Sequence, residues 1–136
     1  MAEGPVIVER EDVRVMQRRT ADEQDAITRA WAEVEAAVGA LRGRRFYGAY
    51  DPRTDEYRAC VQWREGDDAT SLGLEDGTLP GGRYARERLT GAPPAVYRLI
   101  RPTFERLEKR PDRDLSRPQI EHYRRHDVID LLLPVS

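Results

Sequence analysis

The sequence predicts an α+β fold: a duplicated strand-helix-strand-strand module forming an antiparallel sheet with two helices on one face and a central cleft. Three observations predict it. Two segments repeat apolar residues at three- and four-residue steps, the period of a half-buried helix. Short alternating runs, closed by turn residues, surround them. The order of extended pair, helix and hairpin occurs twice. The 136 residues suit one domain, 1–136, with pseudo-repeats at approximately 5–65 and 70–136.

Pro5 to Glu9 reads as a strand and Glu9 to Asp12 as a polar turn. Val13 to Arg19 alternates, so the opening is expected to be a hairpin, or a strand broken by a bulge. Thr20-Ala-Asp-Glu23 matches a capping box, in which the hydroxyl accepts the Glu23 amide and the carboxylate reaches back. Ile27, Trp31, Val34, Val38 and Leu41 then form a helical stripe with Ala30 and Ala37, and Gly43 marks the exit. Trp31 on this stripe reads as core.

Arg45 to Tyr50 and Glu56 to Trp63 are expected to be paired strands around an Asp51-Pro-Arg-Thr54 turn. Tyr57, Ala59, Val61 and Trp63 share one face of the second. Leu72 to Leu79 and Arg83 to Thr90 read as another extended pair around Pro80-Gly-Gly82. Pro94 suits the first turn of a second helix, with Val96, Ile100, Phe104 and Leu107 as its stripe. Pro102 should kink or divide that helix. After a polar loop, Gln119 to Tyr123 and Val128 to Val135 form the last hairpin, turning near His126-Asp127.

Composition narrows the function. The formal net charge is −2 and both signs are interspersed, so direct nucleic-acid binding is not expected. Cys60 is the only cysteine, which excludes an intrachain disulfide and a cysteine metal cluster. Its thiol shows no sign of reactivity. The chain lacks a signal-peptide pattern and any run of about 18 apolar residues. A cytoplasmic protein without membrane association is expected. His122 and His126 have no third ligand near them, so no metal is expected, and no motif implies a cofactor.

The last hairpin carries the candidate site. Gln119, Glu121 and Tyr123 project to one face, and Ile120 and His122 to the other. A carboxylate beside aromatic rings in a sheet concavity suits a flat, cationic ligand; the alternative is a solvated face, or a structural ion pair with one of many arginines. Tyr47-Gly-Ala-Tyr50 lies where Ile120-Glu-His-Tyr123 lies in the repeat, so Gly48 corresponds to Glu121 and Tyr50 to Tyr123. Gly48 then reads as a vacancy that makes room for a ligand, or as the seat of a bulge. Trp63 and Tyr84 are further candidates for the cleft wall, each with a core role as its alternative.

Arg45-Phe-Tyr-Gly-Ala-Tyr50, Leu79-Pro-Gly-Gly-Arg-Tyr-Ala85, Gly91, Ile120-Glu-His-Tyr123 and Asp130-Leu-Leu-Leu-Pro-Val135 together resemble the gyrase-inhibitor-like (GyrI-like) small-molecule-binding domain. That domain also serves as the effector half of many AraC-type and MerR-type regulators. The resemblance covers nearly the whole chain and rests on the order and spacing of short motifs. It implies a duplicated fold with an aromatic cleft. This sequence shows no helix-turn-helix segment fused to it, so it looks like a stand-alone member. In multidrug-binding members a glutamate on a late strand faces organic cations. The matching position is Glu121, with Tyr50, Tyr84 and Tyr123 at the aromatic positions. Some stand-alone members are hydrolases that open the cyclopropane of DNA-alkylating natural products. In that case Glu121 would be the general base or would orient a water. A protein-interaction role, such as damping a topoisomerase, is the third reading. A monomer and a dimer are both compatible with the sequence.

Overall fold

A computed structural model describes residues 4–136. In chain order it comprises β1 (Val6–Arg10), β2 (Val13–Ala21), α1 (Gln24–Val38), β3 (Phe46–Asp51), β4 (Glu56–Gln62), β5 (Glu75–Leu79), β6 (Gly82–Thr90), a 3₁₀ segment (Ala95–Leu99), α2 (Ile100–Leu107), β7 (Gln119–Arg125) and β8 (Val128–Pro134). All eight strands join one curled antiparallel sheet in the order β1-β6-β8-β7-β3-β4-β2-β5. The duplicated α+β architecture is therefore present. β2-α1-β3-β4 and β6-α2-β7-β8 meet where β3 pairs with β7.

The register there places the pseudo-two-fold axis. Gly48 lies opposite Glu121. Tyr50 and Tyr123, each two residues further along its own strand, fall on opposite sides of that axis, opposite Gln119 and Phe46. The halves are not equivalent at the centre: Tyr57 faces Tyr50 on β4, whereas Ile129 faces Tyr123 on β8.

Two expected hairpins do not form. β1 pairs with β6, and β5 pairs with β2, so each edge strand crosses to the other half. The connectors Glu11-Asp12 and Pro80-Gly81 pack against each other, and the Asp12 carboxylate accepts the Gly81 amide at 2.6 Å. A Cβ on Gly81 would run into the Arg10 carbonyl and the backbone of Glu11 and Asp12. Glycine is needed here for close backbone approach rather than for a tight reversal.

The capping box is absent too. Thr20 belongs to β2, and α1 starts after Glu23, whose extended backbone caps the helix without a side-chain hydrogen bond. Pairing of Thr20 with Tyr57 outcompetes the local cap. The helix ends at Gly39, with φ 69, four residues before the expected exit. Pro102 is the third residue of α2, where its missing N–H removes no intrahelical bond. The division falls earlier, between the 3₁₀ segment and α2.

Packing explains the faces. Ala30 and Val34 of α1 bury against Met16, Ala59 and Val61. Phe104 and Leu107 of α2 bury against Leu89, Leu131 and Leu133. The other face of the sheet is also covered, because the curl brings Leu79, Tyr84 and Val15 onto Tyr47, Cys60, Ile120 and Leu132. Burial pushes the Cys60 thiol up to about 12, which leaves it an inert core residue. Among the described residues no helix is long and apolar enough to cross a membrane.

Candidate functional site

The two helices leave a cleft of about 1590 Å³ between them, floored by β3, β4 and β7. Strand alternation puts Phe46, Gly48 and Tyr50 of β3, Tyr57 of β4, and Gln119, Glu121 and Tyr123 of β7 on this helix-bearing face. All of these except Gly48 line the cleft, joined by Ile27 and Trp31 of α1 and Tyr97 of the 3₁₀ segment.

Glu121 sits at the centre. The Tyr57 hydroxyl donates to its Oε1 at 2.9 Å, and the Tyr123 hydroxyl donates to the same oxygen at 2.5 Å. Trp31 Nε1 donates to the Tyr57 hydroxyl oxygen at 3.1 Å. The rings interlock edge-on: Trp31 lies 5.6 Å from Tyr123 and 6.1 Å from Phe46, and Tyr97 lies 6.4 Å from Tyr123. Among the described residues no arginine pairs with Glu121; several arginines bind other carboxylates, as in the bidentate Arg44–Asp67 and Arg88–Asp130 pairs.

The electrostatics follow from that isolation. Burial raises the Glu121 pKa above its ordinary value, against the lowering effect of the Tyr123 and Tyr57 hydrogen bonds, and nearby Asp22 adds to the rise. Tyr57 and Tyr123 are held well above the usual phenol range, first by burial and then by the Glu121 charge. Both are therefore neutral donors at physiological pH. Tyr50 donates to Asp55 Oδ1 at 2.9 Å, which pushes its pKa up to about 12.

The expected site residues divide into two groups. Glu121, Tyr123 and Tyr50 come together in the cleft. Gly48 lies beneath it, but the space above Gly48 is filled by the Tyr57 hydroxyl and the Glu121 carboxylate, which a Cβ would strike. The glycine makes room for that hydrogen bond, not for a ligand.

Trp63 and Tyr84 lie elsewhere. Trp63 borders a separate concavity of about 410 Å³ with Arg10, Arg45 and Tyr47. Its Nε1 donates to the Asp67 carbonyl at 3.1 Å and its ring carries the Arg14 guanidinium at 4.2 Å. Tyr84 is fully buried on the face away from the helices, where its hydroxyl donates to the Pro80 carbonyl and Arg117 stacks on its ring. Register decides this, because Tyr84 lies opposite Pro134 and so shares a face with Leu132 and Ile120. Tyr84→Phe is expected to cost about 1 kcal/mol in urea denaturation.

Sequence reasoning missed Tyr57, Trp31, Phe46 and Tyr97. Tyr57 was legible as the cross-strand neighbour of Tyr50. Trp31's role was hidden, because its helical stripe faces core at Ala30 and Val34 but cleft at Ile27 and Trp31. His122 lies on the other face, stacked on Tyr47 at 4.5 Å, and burial lowers its pKa to about 4.

No family model and no curated protein matches the sequence. Solved structures do. An integron cassette protein from the mobile metagenome of Vibrio cholerae aligns with a TM-score of 0.80 at 19% identity, over 99% of this chain and 97% of that one. The fold is shared. SAV2435, solved bound to tetraphenylphosphonium, aligns with a TM-score of 0.72 at 13% identity, over 98% and 94% of the two chains. A hydrolase from Listeria innocua aligns with a TM-score of 0.55 at 11% identity, over 99% and 93%.

Proposed function

We propose that the cleft binds bulky aromatic or planar organic cations, with Glu121 as the charge partner and Trp31, Tyr57, Tyr97 and Tyr123 as its walls. One observation carries this reading: a half-buried carboxylate, surrounded by rings and left without a cationic partner. An unpaired desolvated charge is costly, and a ligand cation offsets that cost. Each ring face adds roughly 0.5–2 kcal/mol for a desolvated cation. The GyrI-like resemblance supports the reading, as does the ligand carried by SAV2435.

Calorimetric titration with tetraphenylphosphonium, and with tetraphenylborate as a control of like shape and opposite charge, tests it. The cation is expected to bind saturably and the anion not. Equal binding of both would show that the cleft selects shape alone, and the reading would fail.

The charge also predicts two opposite pH dependences. Folding raises the Glu121 pKa, so its contribution to stability is fully present below about pH 4.5 and is lost as the pH rises through the folded value. Cation affinity runs the other way and falls as the same group is protonated. Urea denaturation of the wild type and Glu121→Gln, from about pH 4 to 8, should show the wild type losing stability relative to the variant as pH rises. A pH-independent difference would mean that Glu121 is not desolvated.

A second reading uses the same carboxyl. A raised pKa brings Glu121 closer to that of an effective general base, which would take a proton from an attacking water. In ring-opening hydrolysis of a cyclopropane-bearing aromatic substrate the water oxygen would bond the strained carbon, the ring C–C bond would break, and its electron pair would pass to a conjugated carbonyl oxygen of the substrate, which takes up a proton. Turnover that is lost in Glu121→Gln selects this reading over binding alone.

A further inference from the structure

We propose that Trp31 is a positioning residue of the cleft: by donating to the Tyr57 hydroxyl oxygen, it fixes that hydroxyl as a donor to Glu121 and so favours the charged carboxylate. The inference deepens the cation-binding reading and rests on it for its significance, but its geometry stands alone.

A phenol has one proton to give and two lone pairs. An indole N–H can only give. With Trp31 Nε1 3.1 Å from the Tyr57 oxygen and Glu121 Oε1 2.9 Å away on the other side, the Tyr57 proton has one partner, the carboxylate. Tyr123 gives its proton to the same Oε1 at 2.5 Å. Trp31 and Tyr57 form a one-way chain that ends on Glu121 Oε1, and Tyr123 donates to the same oxygen separately.

Protonating Glu121 at Oε1 would reverse one of these bonds and leave a phenolic proton without a partner, at a site where Tyr57 is only 4% exposed. An unmet donor there is expensive. With the proton on Oε2 both phenols can still reach Oε1, but their bonds to a neutral carbonyl oxygen are weaker than those to a carboxylate, so the network favours ionisation. Burial pulls the other way, and Trp31 is one of the restraints against it.

Among the groups around Glu121, the Tyr123 hydroxyl also favours ionisation, independently of Trp31. Asp22, before α1, acts against ionisation. From β4 and β7 come the two phenols, and from the 3₁₀ segment comes Tyr97, against Tyr123. Glu35 and Arg44, Arg98, Arg101 and Glu105, Glu108 after α2, and Arg124, Arg125 and His126 also line the cleft, but none of them bonds to Glu121.

The test reads the free protein, so it is independent of whether tetraphenylphosphonium binds. The Glu121 carboxyl carbon is titrated by NMR in the wild type, Trp31→Phe, Tyr57→Phe and the double variant. Trp31→Phe keeps an aromatic ring and removes the N–H. It is expected to raise the Glu121 midpoint by about half to one pH unit. In the Tyr57→Phe background it should add nothing, because Trp31 acts only through that hydroxyl. A midpoint unchanged by Trp31→Phe, or raised equally in both backgrounds, overturns the proposal. Where the cation binds, the acid limb of its affinity should move up with the midpoint, on top of a pH-independent loss from exchanging an indole face for a phenyl face. A purely structural role would leave the acid limb where it is.

Discussion

Glu121→Gln is expected to weaken tetraphenylphosphonium binding by about 10- to 100-fold, the scale of a lost desolvated charge interaction. The amide oxygen can still accept from Tyr57 and Tyr123, so the rings stay in place and the variant remains folded. Its melting temperature at neutral pH should not fall, because a buried charge without a counter-ion has been removed. Calorimetric titration and thermal denaturation of the same preparations read both. A variant that binds the cation as tightly as the wild type would detach Glu121 from ligand recognition, however well the fold is preserved. A variant that binds nothing because it is unfolded would instead make the carboxylate structural. The ring-lined walls predict residual affinity, since cation–π contacts do not depend on the carboxylate.

Gly48→Ala is the substitution expected to cost most in stability, about 1–3 kcal/mol, although it adds only a methyl group to a strand. The new Cβ would strike the Tyr57 hydroxyl and the Glu121 carboxylate, neither of which can retreat without breaking the bond between them. Binding should fall with stability. Tyr57→Phe in the same chain removes the hydroxyl and should recover part of the lost stability in urea denaturation, although the ring carbon that carried it stays close. If Gly48→Ala proves neutral, the central strands can move apart, and the Tyr57–Glu121 contact is softer than its geometry indicates. Full recovery in the double variant would assign the whole collision to the hydroxyl.

These two residues show what sequence periodicity carries. Alternation placed Glu121 and Tyr123 on one face of a strand. The internal repeat aligned Gly48 with Glu121. Two helical stripes required a sheet surface to cover. Each of these is a local pattern with a fixed period, so each can be read without coordinates. They yielded the duplicated α+β fold, both helices and the central carboxylate.

Tertiary structure decided the remainder. β1 and β5 exchange partners between halves because the curled sheet brings distant edges together, and short connectors reveal nothing about which edge a strand will join. That exchange closes the second face of the sheet over Tyr84, so a tyrosine in a familiar-looking motif became core. Trp31, which reads as core on its helix, became part of the site because α1 packs with its stripe half over the sheet and half over the cleft. Gly48 reads as an empty place, yet its neighbours fill it. Whether a side chain faces packing or a cavity depends on what lies across from it, and that is set by long-range register, which local sequence does not encode.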